Sequence, residues 1–153
     1  MNHHELNGKH ENIQDYDTLD NDAKELINAA IEARNFSYSP YSKFKVGAAI
    51  RLADGTISSG CNIENATYSP SICAERTAVA KAVSTGHREF MAVAVVAFQE
   101  NSFTTPCGVC RQTLCEFAKA DIPVYIAKPS PTRVLVTSLT KLLPLQFVPL
   151  TTD

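Results

Sequence analysis

Two short runs carry residues whose types and spacing can do chemistry. "SICAERTAVAKAV" holds Cys73 and Glu75, and "TTPCGVCRQTLCEF" holds Cys107 and Cys110. Cys107 and Cys110 form a Cys-x-x-Cys pair directly after Pro106, at the predicted start of a helix. Proline suits a first helical turn, because its missing N–H would have no partner there. The helix N-terminus supplies partial positive charge and free N–H groups, a setting that favours thiolates. Alone, such a pair is compatible with zinc binding, with a redox dithiol or with coincidence. A redox motif more often follows the first strand of a βαβ unit, which this one does not. Structural zinc needs four protein ligands, and a second Cys-x-x-Cys is absent. Cys115 falls on another helical face and Cys61 at a strand end, so both read as core thiols. Cys73 supplies the third sulfur, leaving one coordination position open, which is the arrangement of a catalytic site. Glu75 then stands beside that position. In an isolated Cys-x-Glu it would read as a surface acid at a helix N-terminus; with the second half-site present, it reads as a proton carrier.

Three thiolates overcompensate the charge of a zinc ion and weaken it as a Lewis acid. A cation that hydrogen-bonds the sulfurs would draw charge back. Arg76 is the candidate for this charge-tuning role and Arg111 the reserve, against the usual fate of an isolated arginine, a surface ion pair.

The elements that must position these residues follow from periodicity. Leu19, Ala23, Leu26, Ile27, Ala30 and Ile31 recur at helical spacing from Thr18 onward. Asp20 and Asp22 lie in the first turn, and the helix ends before "NFSYSPYS". "FKVGAAIRL" alternates as a strand, turns at Asp54-Gly55 and returns through "TISSGCNI". A helix is predicted from Cys73 to Thr85, and "FMAVAVVAF" (Phe90 to Phe98) reads as a central strand covered on both faces. Pro106 opens a second helix through Lys119, followed by strands "IPVYIA" and "RVLVT" and a short helix "SLTKLL". Alternating strands and helices predict a mixed sheet with helices on its faces. Cys73 and Cys107 each begin a helix that follows a strand, so the two N-termini can converge at one end of the sheet.

The 153 residues fit one domain, with residues 1–17 as a flexible tail and 18–153 as the folded unit. A net charge of −2 argues against nucleic acid or anionic lipid as partner. No apolar run is long enough to span a bilayer, and no export signal is visible, so the expected compartment is the reducing cytoplasm. Five cysteines there read as ligands or core residues rather than disulfides. His3, His4 and His10 lie in the polar opening segment and His87 in a helix-to-strand turn, so none is expected to hold the metal.

Cys73-Ala74-Glu75 followed by Pro106-Cys107-Gly108-Val109-Cys110 matches the pattern of zinc deaminases, in which the Glu moves protons rather than binding metal. Together with "SPYSKFKVGAAI", "GCNIENATYSPSICAERTA" and the closing "LLPLQF", it makes residues 18 to 150 resemble cytidine deaminases of the short, homotetrameric type. The resemblance implies a three-layer α/β/α fold around a mixed five-stranded sheet, and one Zn2+ per subunit held by Cys73, Cys107 and Cys110. It further implies Glu75 as the catalytic proton carrier acting on cytidine or 2′-deoxycytidine. Phe44 matches an aromatic that packs on the pyrimidine, and Asn62 and Glu64 match a pair that hydrogen-bonds the ribose hydroxyl. The N–H groups of Ala74 and Glu75 would face the base or the metal-bound oxygen, and the Thr105 carbonyl would hold the departing amine. Phe147 matches an aromatic inserted into a neighbouring subunit's site, with Tyr68 at a subunit contact. Without the resemblance, Phe44 reads as strand core, "NIEN" as a turn and Phe147 as a plug in its own core.

Overall fold

The computed structural model describes residues 12–148. His3, His4 and His10 lie outside them. Within them, six strands form one mixed sheet in the order β1-β6-β5-β4-β2-β3. The strands are β1 (Ile13–Asp15), β2 (Val46–Leu52), β3 (Ile57–Cys61), β4 (Phe90–Ala97), β5 (Pro123–Ala127) and β6 (Arg133–Ser138). Only β4 and β5 pair in parallel; the other neighbours are antiparallel.

Five strands were expected, and the sixth corrects that count. Ile13–Asp15 lies inside the stretch assigned to a tail. Three residues, Ile-Gln-Asp, are too few and too polar to show a period. They become a strand because β6 offers a free edge, and the register Ile13 to Leu135 supplies their hydrogen bonds.

Helix α1 (Asn21–Arg34) covers one face of the sheet, and α2 (Ala74–Ser84), α3 (Gly108–Cys115) and the short α4 (Leu139–Leu142) cover the other. The α1 N-cap is Asp20, whose carboxylate accepts from Ala23 N at 2.8 Å, satisfying one of the free N–H groups of the first turn. Leu26, Ile27 and Ala30 then bury the apolar stripe. β4 is central as its sequence predicts. Phe90, Val93 and Val95 pack towards α2 and α3, while Ala94 and Val96 pack under α1. Each fully buried Val, Ile, Leu or Phe stabilises the fold by about 1.5–3 kcal/mol, so this strand anchors both layers.

Gly60 on β3 decides how closely α2 approaches the sheet. A Cβ at Gly60 would lie 2.6 Å from Ala78 N and 2.9 Å from Ala74 O. The first turn of α2 therefore rests directly on the β3 backbone, and that turn carries Glu75.

Candidate active site

Both metal-binding runs place a cysteine just outside a helix. Cys73 is the N-cap of α2, with φ −73° and ψ 154°, and Cys107 is the N-cap of α3, with φ −68° and ψ 166°. Neither side chain caps its helix. Ser, Thr, Asp or Asn at such a position would contribute about 0.5–2 kcal/mol; these thiols leave that stabilisation unused and point elsewhere. The helices thus begin at Ala74 and Gly108 rather than at Cys73 and Pro106. The second ends at Cys115 rather than Lys119, because Phe117 N and Ala118 N bond three residues back, tightening the chain away from α-geometry.

The two N-termini converge as the topology allows. Sγ atoms of Cys73, Cys107 and Cys110 all lie within 4.8 Å of one another. Tetrahedral zinc with Zn–S bonds of about 2.3 Å holds sulfurs roughly 3.8 Å apart, so a shift of about 1 Å or less closes the site. The donor set fits zinc: three soft thiols, with Cys110 buried and Cys73 partly buried. Cys61 and Cys115 are also free thiols and stand apart from this cluster.

Charge in the cluster is already organised for a cation. A hydrogen bond from Cys110 is the largest cause that lowers the Cys73 thiol to about 5, with Arg76 adding to it against burial. The same bond raises Cys110. The two thiols titrate as one coupled pair rather than as separate groups. Arg76 places a guanidinium nitrogen 3.9 Å from Cys73 Sγ and is held more firmly protonated by that contact. Arg111, the reserve, is elsewhere. Its guanidinium donates to Pro106 O at 2.7 Å, Leu142 O at 2.7 Å and Thr105 Oγ1 at 3.1 Å. It ties the ligand loop to the end of α4.

Glu75 lies one residue into α2 and is only 4% exposed. Burial raises its pKa, and the negative charge at Cys73 raises it further. A carboxyl that holds its proton more tightly than usual is suited to taking a proton and passing it on.

Glu75, Cys73 and Cys107 border a cavity of about 360 Å³ whose remaining wall includes Phe44, Asn62 and Glu64, a size suited to a small ligand. The loop after β3 reaches it through paired bonds between Ile63 and Ile72, Ile63 N to Ile72 O and Ile72 N to Ile63 O, both 3.0 Å. These bring Asn62 and Glu64 beside Cys73. Phe44 precedes β2 rather than lying in it, which turns it to the cavity instead of the core. Asn62 Oδ1 accepts from Val46 N at 2.9 Å and from Ser37 Oγ. Its amide donates to Phe44 O at 2.8 Å, leaving one amide hydrogen for a ligand. Glu64 accepts from Tyr41 N at 3.0 Å, from Ser42 N at 3.2 Å and from the Ser42 hydroxyl. The Ser42 hydroxyl is the main cause holding the Glu64 carboxyl below its ordinary range.

Thr105 and Ala74 also border the cavity. Phe147 does not: it is 75% exposed, and Tyr68 is 80% exposed. Apart from the apolar wall, three polar cavity residues escaped the sequence reading of the site. Ser42 and Ser71 sit among turn formers, and Thr104 precedes the Thr105-Pro106 step. No periodicity or spacing marks any of them.

Comparison with known proteins agrees with this geometry. The model of the cytidine and deoxycytidylate deaminase zinc-binding region matches residues 20–126. The chain is 50% identical over 126 residues to the cytidine deaminase of Sporosarcina psychrophila, covering 82% of this chain and 91% of that one. It is also 31% identical over 130 residues to the blasticidin-S deaminase of Bacillus cereus, covering 80% and 90%. The crystal structure of cytidine deaminase from Burkholderia pseudomallei superposes with a TM-score of 0.75 at 44% identity, covering 81% of this chain and 98% of that one. The zinc site and the layered fold around it are thus shared with enzymes, and the chain belongs to the cytidine and deoxycytidylate deaminase family.

Proposed function

We propose that this protein deaminates cytidine and 2′-deoxycytidine hydrolytically, giving uridine or 2′-deoxyuridine and ammonia, as a step of pyrimidine salvage in the cytoplasm. The observation that carries the reading is the buried Glu75 carboxyl at the edge of a nucleoside-sized cavity, beside three converging thiols. Cys73, Cys107 and Cys110 hold the zinc, which when bound lowers the pKa of water towards neutrality and so supplies a nucleophile. The Glu75 carboxylate accepts the proton of the attacking water and delivers it to N3 of the base as C4 becomes tetrahedral. It then carries the second proton to the amine, whose bond to C4 breaks to release ammonia. Phe44 stacks on the pyrimidine, and the free amide hydrogen of Asn62 and the Glu64 carboxylate bind the ribose hydroxyl. Ala74 N–H faces the base, the Thr105 carbonyl receives the amine, and Arg76 withdraws charge from the sulfurs.

Phe147 and Tyr68 project from the chain as exposed aromatics. Their exposure supports a homotetramer in which each site is completed by a neighbouring subunit. Among the described residues no helix is long and apolar enough to cross a membrane. The test is ultraviolet absorbance of zinc-loaded protein with cytidine: conversion to uridine that disappears in Glu75→Ala supports the reading. The blasticidin-S deaminase relative supports a second reading, a nucleoside antibiotic as substrate. A higher kcat/KM for that antibiotic than for cytidine would favour it.

A further inference from the structure

Among the described residues, two that are not glycine have a left-handed backbone: Lys43, with φ 59°, and Leu145, with φ 56°. A side chain makes this conformation costly, and glycine is the residue that usually adopts it. Where another residue does so, its surroundings over-determine the strain, and such residues cluster at ligand-binding sites. Lys43 stands between Ser42 and Phe44, which both border the cavity.

The bonds around Lys43 supply that constraint. Lys43 N donates to Ser39 O at 3.0 Å, closing a single turn over residues 39–43. A left-handed residue ends such a turn and redirects the chain, here through Phe44 into β2. The turn is fastened to the loop that carries Asn62 and Glu64. Tyr38 N donates to Asn62 O at 3.1 Å, and Glu64 N donates to Tyr38 O at 2.8 Å. The Glu64 carboxylate accepts from Tyr41 N, Ser42 N and the Ser42 hydroxyl. Ser42 Oγ in turn accepts from Phe44 N at 3.0 Å. An extended or right-handed Lys43 would send Phe44 in another direction, away from the Ser42 hydroxyl and from the cavity. We propose that Lys43 is a positioning residue, whose left-handed backbone aims Phe44 into the cavity and so sets its stack on the pyrimidine base. The inference rests on the nucleoside-deaminating reading above and deepens it, because one bonded unit then orients the contacts to base and ribose together. The Lys43 ammonium has a separate effect: after the Ser42 hydroxyl, it is a lesser cause of the lowered Glu64 carboxyl.

Two substitutions separate backbone from charge. Lys43→Asn removes the ammonium and keeps a residue that tolerates the left-handed region. Lys43→Val removes it and brings a β-branched side chain that does not. Zinc-loaded protein is assayed for uridine affinity by calorimetry, for KM and kcat with cytidine, and for melting temperature. Each substitution is repeated in a Phe44→Ala background. For Lys43→Val, uridine affinity should fall and KM should rise about 5- to 100-fold, the range for an aromatic stacked on one base. Its kcat should change by less, because Cys73, Glu75, Cys107 and Cys110 are placed by α2 and α3. Lys43→Asn should bind and turn over close to wild type. With Phe44 already removed, Lys43→Val should add little, since residues that act through one another are not additive. Equal losses in Lys43→Asn and Lys43→Val would overturn the inference by assigning the effect to the ammonium. So would an undiminished Lys43→Val loss in the Phe44→Ala background. A lowered melting temperature with unchanged KM and affinity would overturn it too, since the turn would then serve stability alone. All three leave the deaminase reading standing. Should Lys43→Val fail to fold, Ser42→Ala releases Phe44 N from the same turn: a loss of uridine affinity that vanishes in the Phe44→Ala background supports the inference, and wild-type affinity overturns it. Wild-type protein that neither binds uridine nor converts cytidine would overturn the deaminase reading and this inference together.

Discussion

Gly60→Ala tests whether the fold sets the chemistry. The backbone at Gly60 is not left-handed, so alanine meets no conformational penalty there and any effect is steric. Its Cβ would stand 2.6 Å from Ala78 N, 2.8 Å from Thr77 Cβ and 2.9 Å from Ala74 O. Two of the three are helix backbone and cannot rotate away. Restoring ordinary contact pushes the first turn of α2 off β3 by about 0.5–1 Å, and overpacking of this kind costs about 1–3 kcal/mol of stability. Cys73 and Glu75 ride on that turn. A displacement of about 1 Å in a catalytic group can lower turnover about 10²-fold. Urea unfolding, zinc content and kcat/KM for cytidine should therefore show a destabilised protein with turnover falling far more than stability alone explains. Gly108→Ala is the control. Its Cβ meets nothing within 4 Å, and alanine there should stabilise by up to about 1 kcal/mol. Gly60→Ala with wild-type stability and turnover would refute the α2–β3 contact and the coupling of catalysis to it.

Glu75→Gln should keep the fold and the zinc while lowering kcat at least about 10²–10⁴-fold; measurable loss of zinc would show that the carboxylate is a ligand instead. Arg76→Gln should leave zinc stoichiometry unchanged and slow turnover, because the sulfurs keep the charge the guanidinium had withdrawn; unchanged kcat would remove Arg76 from the site. Ser42→Ala should shift the acid response of the protein. Glu64 has a folded pKa below its ordinary value of 4.5, so its contribution to stability is present above 4.5 and is lost as pH falls through the folded value. Removing the Ser42 hydroxyl returns the folded value towards 4.5, and melting temperatures across acid pH should show a shallower decline in that window than wild type. Arg111→Ala frees Pro106 O, Leu142 O and Thr105 Oγ1 together; weaker zinc retention against a chelator is expected, and wild-type retention would show that the clamp does not hold the ligand loop.

Much of this protein is legible locally. The period of α1, the Asp54-Gly55 turn, the doubly buried run of β4 and the spacing of Cys73, Glu75, Cys107 and Cys110 are properties of neighbouring residues, and each became the element or cluster that its pattern implied. Short-range sterics, caps and hydrophobic alternation decide such features wherever the segment folds. The rest depended on which segments meet. β1 is a strand only because β6 has an open edge. Arg76 rather than Arg111 faces the sulfurs because α2 presents the former to the cluster, while α3 turns the latter towards Pro106 and α4. Phe44 leaves the core for the cavity because β2 begins two residues later, at Val46. The unpaired hydroxyl of Thr104 has no signature in sequence at all, since a missing hydrogen bond is a property of every group that could have supplied it. Local pattern singled out the three cysteines that converge and the carboxyl buried beside them; long-range packing decided what surrounds them, because desolvation and charge at a site come from residues distant in the chain.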